Sequence, residues 1–324
     1  GSEMCIRDRN VTEMQEMFQY NSSLTSLDLL HFDTRKVTNM KSMFYNLSNV
    51  TSLDLSSFDT RNVKQMNDMF QGVSKVPTLR LNNFNTEKVE NMSGMFAYMS
   101  ELEDLDVSSF DTRRVTNMYG MFSGVKKLRS LNVTNFNTNA VTNMGYMFTN
   151  MAALENLNIN NFNTSAVTNM NNMFSGMTSL RSLNLSNFDT ANVKDMGGMF
   201  HDMKTITELN LSNFDTSNVL GMEAMFYNMT ALKTLDISNF DASQVGSMKS
   251  IFATADGDSL ERIYVNNDFN TARLTSYMDY TNMFTGRNKL RGGNGSYLSN
   301  PVTADLTWLR VDRPGVQGYF TRKP

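Results

Sequence analysis

LRSLNLSNFDTANVKDMGGMFHDM, Leu180 to Met203, is the stretch whose reading decides the fold, because the chain from Val11 to Phe252 writes it again and again. Its Phe188-Asp189 pair returns as Phe followed by Asp or Asn at Phe32, Phe58, Phe84, Phe110, Phe136, Phe162, Phe214 and Phe240, always 26 residues apart. The Met-Phe pair keeps the same step at Phe18, Phe44, Phe70, Phe96, Phe122, Phe148, Phe174, Phe200 and Phe226, and as Ile-Phe at Phe252. A fixed period of that length is the signature of a solenoid, in which each repeat packs only on its neighbours.

Inside one repeat, Leu183-Asn184-Leu185 alternates apolar and polar with period 2, which predicts one short strand per coil with Leu183 and Leu185 inward. Leu180, Leu183, Leu185 and Phe188 make L-x-x-L-x-L-x-x-F, close to the leucine-rich-repeat pattern with Phe in place of the usual Asn or Cys. Val193, Met196, Met199, Phe200 and Met203 are spaced 3, 3, 1 and 3, which predicts one apolar face on a short helix or 3-10 segment. Either Thr190 or the Thr of the V-T-N-M copies (Thr38, Thr116, Thr142, Thr168) is placed to cap it.

The 27 methionines, most of them at the Met196, Met199 and Met203 positions, read as soft filling for a curved core. The expected fold is an α/β leucine-rich-repeat solenoid of about ten coils. Short parallel strands would line its concave face and helices or 3-10 turns its convex face, over roughly 50 Å. One coil alone buries too little to offset the entropy of ordering its backbone, so stacking is obligatory.

The pattern loosens after Phe252 at Ala253 to Asp258, then gives one irregular copy through Phe269 and Phe284. It stops at RGGNGS, a glycine-rich turn without the context of a phosphate loop. Thr307 to Val311 and Gly318 to Phe320 read as two short strands of a terminal cap. The expected division is residues 1–9, 10–290 for the solenoid, and 291–324 for a cap or the start of a next module. Residues 1–9, GSEMCIRDR, break the repeat phase and read as a tag scar followed by adaptor-like sequence of metagenomic reading frames, with any export signal beyond them.

With these residues quoted, the chain resembles the BspA-like leucine-rich-repeat surface proteins of bacteria. The carriers are the repeat LxxLNLSNFDTSNVxxMxxMF, KLRGGNGS at Lys289 to Ser296, and LTWLRVDRPGVQGYFTRKP at Leu306 to Pro324. The resemblance implies an exported or surface-anchored protein engaged in adhesion to host or neighbouring-cell proteins or glycans. Where that family often carries Cys after the Met-Phe pair, this chain has Leu47, Val73, Met99, Val125, Met151, Met177, Met203 and Met229, so no thiol role is available.

The net charge of -3 lacks the basic footprint of a nucleic-acid binder, and no apolar run is long enough to insert in a membrane. Neither His31 nor His201 has a nucleophile at recognisable spacing, so no enzyme and no catalytic residue is expected. No cofactor or metal is expected either. The Asp/Asn column of Asp33, Asp59, Asn85, Asp111, Asn137, Asn163, Asp189, Asp215, Asp241 and Asn270 suits Asx-turns or helix caps better than a calcium ladder.

Candidate ligand contacts fall on the outward columns of the concave strands: Arg80, Asp104, Asp106, Asn132, Asn158, Asn184, Glu208, Asn210, Arg262 and Tyr264. There, departures from the repeat's own consensus point to a ligand. The expected function is adhesion, or protein or glycan binding, through that face. The competing reading is a stalk or spacer that displays another domain from the cell wall. An ice-binding face would need a flat, uniform Thr array, whereas these columns mix residue types and charges.

Overall fold

The computed structural model describes residues 10–324. The reading of residues 1–9, Cys5 included, lies outside the described residues.

The chain winds into coils of one repeat each, stacked in register. An unbroken row of parallel bridges joins Glu13, Asn39, Gln65, Asn91, Asn117, Asn143, Asn169, Asp195, Gly221 and Ser247. The inward columns form one continuous core, in which Val193, Met196, Met199, Phe200 and Met203 are each 0% exposed. The Met-Phe phenylalanines stack face to face from Phe18 to Phe284, and successive centroids are 5.3 to 6.2 Å apart. Offset stacking at such distances adds to the burial of the rings themselves.

The second half of the repeat is not helical. In the coil of Phe148 it is a run of hydrogen-bonded turns: Met147 N–H donates to Met144 C=O at 3.2 Å, Thr149 to Tyr146 at 3.1 Å and Met151 to Phe148 at 3.3 Å. Tyr146 (φ 58°) and Asn150 (φ 56°) lie in the left-handed region, the third position of type II turns and a conformation a right-handed helix does not contain. The N–H groups of Met144, Tyr146, Phe148 and Asn150 point along the stack to the carbonyls of Asn169, Asn171, Met173 and Ser175, at 2.7 to 3.0 Å. A helix would use those donors internally, whereas this ribbon of turns gives each a partner in the next coil. The 3, 3, 1, 3 spacing serves both geometries, which is why it misled.

No expected cap survives either. Thr190 is 1% exposed, and its hydroxyl accepts from Asp215 N–H and donates to Asp215 C=O, both at 2.8 Å, so it bridges coils. Thr34, Thr60, Thr86, Thr112, Thr138, Thr164 and Thr216 do the same. Thr38, Thr116, Thr142 and Thr168 each donate to a carbonyl of the preceding coil at 3.3 Å.

Strands expected in every coil form in only some. β1 (Thr78–Leu79) pairs with β2 (Asp104–Leu105), and β3 (Thr234–Asp236) with β4 (Arg262–Val265), all parallel. Leu183-Asn184-Leu185 keeps its alternating burial without pairing as a strand. Side chains hold the coils together on this side. Asn187 Nδ2 donates to Ile159 C=O at 3.0 Å and Phe162 C=O at 2.7 Å, beside the threonine bridges. A side-chain atom inserted between two backbones spaces them wider than a direct ladder bond at roughly 4.8 Å allows.

At the C-terminal end, Ser276 caps α1 (Tyr277–Tyr280) with a capping box, and Phe284 continues the ring stack. β5 (Phe320–Arg322) joins β4 in parallel, Ile263 opposite Phe320. The strand expected over Thr307 to Val311 is instead a 3-10 turn, Leu306–Trp308, because the Asp305 side chain accepts from Thr307 N–H and starts a turn. Only Val311 bridges to Phe320. Leu309, Tyr319 and Phe320 are fully buried over the last coils, with Phe320 edge-on to Phe252 at 6.2 Å. Arg287, 1% exposed, pairs with Asp258 at 3.2 Å beneath them.

Candidate functional site

Two surfaces flank the core, the strand strip and the turn ribbon. On the strip, Arg80 and Asp104 are exposed and pair with each other across β1 and β2 at 2.9 Å. The carboxylate or amide oxygens of Asp106, Asn132, Asn158, Asn184 and Asn210 accept from the N–H two residues on, at 2.9 to 3.2 Å. These side chains therefore shape the bend that ends each strand segment while keeping an outward face, and the bond from Ser108 holds the Asp106 carboxyl below its ordinary range. Asn184 Nδ2 also donates to Asn160 Oδ1 at 2.9 Å, a lateral link between coils. Glu208 stands exposed. Arg262 and Tyr264 are half-buried on β4, where Arg262 donates to the carbonyls of Glu261 at 3.0 Å and Arg291 at 3.3 Å. The strip is thus a row of outward groups with a few lateral contacts: besides Arg80 with Asp104, Arg181 pairs with Glu155 and Lys323 with Asp236, each at 2.8 Å.

The Asp/Asn column after the phenylalanine behaves as expected. Asp33, Asp59, Asn85, Asp111, Asn137, Asn163, Asp189, Asp215, Asp241 and Asn270 each accept from the N–H two residues on, at 2.7 to 3.2 Å. Among the described residues no group of three or more His, Cys, Asp or Glu converges as a metal site, and no helix is long and apolar enough to cross a membrane. His201 stacks on Tyr227 at 4.7 Å and lies 3.1 Å from Asp202.

Two concavities lie on the turn ribbon, where no ligand contact was expected. One cleft of about 620 Å³ runs along Asn171, Asn172, Lys194, Asp195, Gly197, Gly198, Leu220, Gly221, Glu223, Ala224 and Ser247. A second, of about 360 Å³, is framed by Tyr98, Tyr119 and Tyr146, with Asp68, Gln71, Ser93 and Ser123 between them and Gly94, Ala97 and Gly120 at its floor. Both open where glycine replaces larger residues in successive coils. Burial raises the carboxyl of half-buried Asp68 and the phenol of Tyr119 above their ordinary values. Tyr98 and Tyr146 interrupt columns that hold Asn or Gly at Asn46, Gly72, Gly124 and Asn150, and at Gly94, Gly120, Asn172 and Gly198. That departure from the repeat is as legible in the sequence as those on the strand columns.

A stack of parallel coils, stitched by backbone on one side and by threonine and asparagine on the other, with clefts in its turn ribbon, is a repeat scaffold. The chain belongs to the family described as "Mycoplasma protein of unknown function, DUF285", whose model matches residues 7–78, 76–182, 150–263 and 194–304. The overlapping matches reflect the internal repeat.

Comparison with curated proteins gave no match. Among solved structures, a leucine-rich repeat protein from Bacteroides ovatus is 17% identical, with 85% of this chain and 87% of that one covered and a TM-score of 0.35. A leucine rich cell surface protein from Faecalibacterium prausnitzii is 14% identical, with 79% and 78% covered and a TM-score of 0.27. Both superpose loosely.

Proposed function

We propose that this chain is a non-enzymatic binding scaffold displayed at a bacterial surface, which engages a partner protein along its strand strip. The observation that carries the reading is the contrast between inward columns, repeated coil after coil, and outward positions that break the repeat. Arg80, Asp104, Glu208, Arg262 and Tyr264 stand where other coils hold Ser, Thr, Asn or Asp. A rigid stack with uneven charge along one strip suits a complementary protein surface, because such complementarity sets which partner docks and how fast. Many weak contacts, presented in copies on a cell, add through avidity. Surface display and adhesion rest on the likeness of the repeat and of its GGNG and GYFT elements to BspA-like proteins.

Binding of the purified chain to immobilised extracellular-matrix proteins and to intact cells tests the reading. The expected result is saturable binding that weakens about tenfold when Arg80, Asp104 and Glu208 are changed together to alanine. Binding no higher than background sinks it and leaves the spacer role, and binding equal for parent and variant removes the strand strip as the site.

A further inference from the structure

We propose that the cleft between Tyr98, Tyr119 and Tyr146 is a binding site for a neutral oligosaccharide, separate from the strand strip. Its shape comes from a local change in the repeat. Gly94 and Gly120 sit in successive coils in the column that carries Asp68 before them and Tyr146 after them. Two missing side chains leave a trough bounded by tyrosine rings, and at about 360 Å³ it has the volume of a small-ligand pocket.

The tyrosines are held there against backbone preference. Tyr98 and Tyr146 both have φ 58°, in the left-handed region that coils on either side fill with glycine or asparagine. Ser42, Asp68, Ala224 and Ser250 share that conformation in the Tyr146 column, so the turn dictates the backbone and the choice of tyrosine is what sets these two coils apart. None of the three rings belongs to the buried core: Tyr98 is 55% exposed, Tyr119 is 40% exposed, and half-buried Tyr146 meets Tyr119 at 5.3 Å. Tyr20, at φ 60°, extends the aromatic row toward the first coils, 5.2 Å from Tyr45.

The polar groups between the rings demand donors. A Cβ on Gly94 would lie 2.3 Å from Asp68 Oδ1 and 3.0 Å from Gln71 Oε1, so two acceptor oxygens converge over that glycine. Asp68 Oδ2 accepts from Asn67 Nδ2 at 3.0 Å, and Gln71 Nε2 donates to Tyr45 Oη at 3.4 Å, which leaves Asp68 Oδ1 and Gln71 Oε1 toward the cleft.

A sugar supplies what this lining lacks. Its hydroxyls donate to Asp68 and Gln71, and its C–H faces lie flat on tyrosine rings. The lining contains no Lys or Arg, which disfavours an anionic ligand, and no Leu, Ile, Val, Met or Phe to seat an aliphatic anchor. A proline-rich peptide also docks on aromatic grooves, but its prolines offer carbonyls and no N–H, so both acceptors would stay unmet. The other cleft has no tyrosine and mixes Lys194 with Asp195 and Glu223.

Titration calorimetry of the full chain with maltohexaose, cellohexaose, chitohexaose and mannohexaose, and with a proline-rich decapeptide, tests the site. At least one hexasaccharide is expected to bind and to lose about tenfold or more in affinity in Tyr119→Ala, Tyr98→Asn and Tyr146→Asn. The two asparagine variants carry a further readout. They place a residue used by sibling coils at each left-handed position, so their melting temperatures should equal or exceed the parent's while binding falls. Arg80→Ala with Asp104→Ala should leave sugar binding unchanged, whatever becomes of the partner protein. Binding by none of the four sugars, binding by the decapeptide alone, or a clear drop in melting temperature in both asparagine variants would overturn the assignment.

Discussion

The two sides of this solenoid join the same coils by different means. On the turn ribbon, main-chain N–H groups reach main-chain carbonyls of the next coil, so any side chain compatible with the turn can point outward. On the strand side, the joining groups are the buried threonine hydroxyls and the asparagine amides, so those columns change little: Ser57 and Ser109 replace Asn while still donating to a carbonyl of the preceding coil, and Ala242 alone replaces Thr. Stitching by backbone leaves the surface free to change, and both clefts described above lie where that freedom exists.

The largest expected effect breaks both sides together. Phe148, fully buried between Phe122 and Phe174, belongs to the ring column that the two faces share. Phe148→Ala should cost about 3–5 kcal/mol in urea unfolding. Next comes the strand side alone. Thr138→Val keeps the shape but removes the hydroxyl that serves both the N–H and the C=O of Asn163, at 2.8 Å each. Leaving those groups buried and unmet should cost about 1–3 kcal/mol by the same measurement.

A substitution on the ribbon tests the other half. Gly124 has φ 73°, and a Cβ there would lie 2.8 Å from Tyr98 Cδ1. Gly124→Ala should cost about 1–2 kcal/mol and displace the Tyr98 ring, visible as a shift in its NMR signals.

These contrasts also show how much was legible. The coil period, the inward Leu, Met and Phe columns and the Asx-turns could be read directly, because burial and local side-chain bonding leave a mark at every copy. The turn ribbon could not be read from apolar spacing, since Val193, Met196, Met199 and Met203 fit a helix as well. The deciding mark was elsewhere: Gly, Asn and Asp recur at the two left-handed positions, as in Gly72, Asn150 and Asp202. The threonine column was misread because a hydroxyl facing an amide looks alike in sequence whether that amide is in its own turn or in the next coil. The tyrosine cleft was missed because consensus breaks were sought only along the strands.

Acid should loosen the strand side before the ribbon. The Arg35 guanidinium beside Asp33 holds its carboxyl down at about 2. Arg61, Arg113 and Arg313 likewise lower Asp59, Asp111 and Asp268. Since the folded values lie below the unfolded ones, this stabilisation is complete above the ordinary carboxylate range and fades as pH falls through the folded values. Urea midpoints measured from pH 6 down to about 2 should therefore fall across the acid end of that range. The smallest effect is expected at Arg80→Ala, which opens an exposed ion pair with Asp104 and should change stability by about 0–1 kcal/mol.

The ribbon's bonds also give the molecule an electrical direction. In each regular coil four of its N–H groups point toward the C-terminal end, while only one, such as Thr142 to Thr116, points back. Ordinary sheets nearly cancel such vectors, but here they add, so the stack resembles a helix dipole with its sign reversed relative to chain direction. Its amino-terminal end, at the Glu13 coil, is therefore the partly negative one and attracts cations, while its carboxyl-terminal end attracts anions.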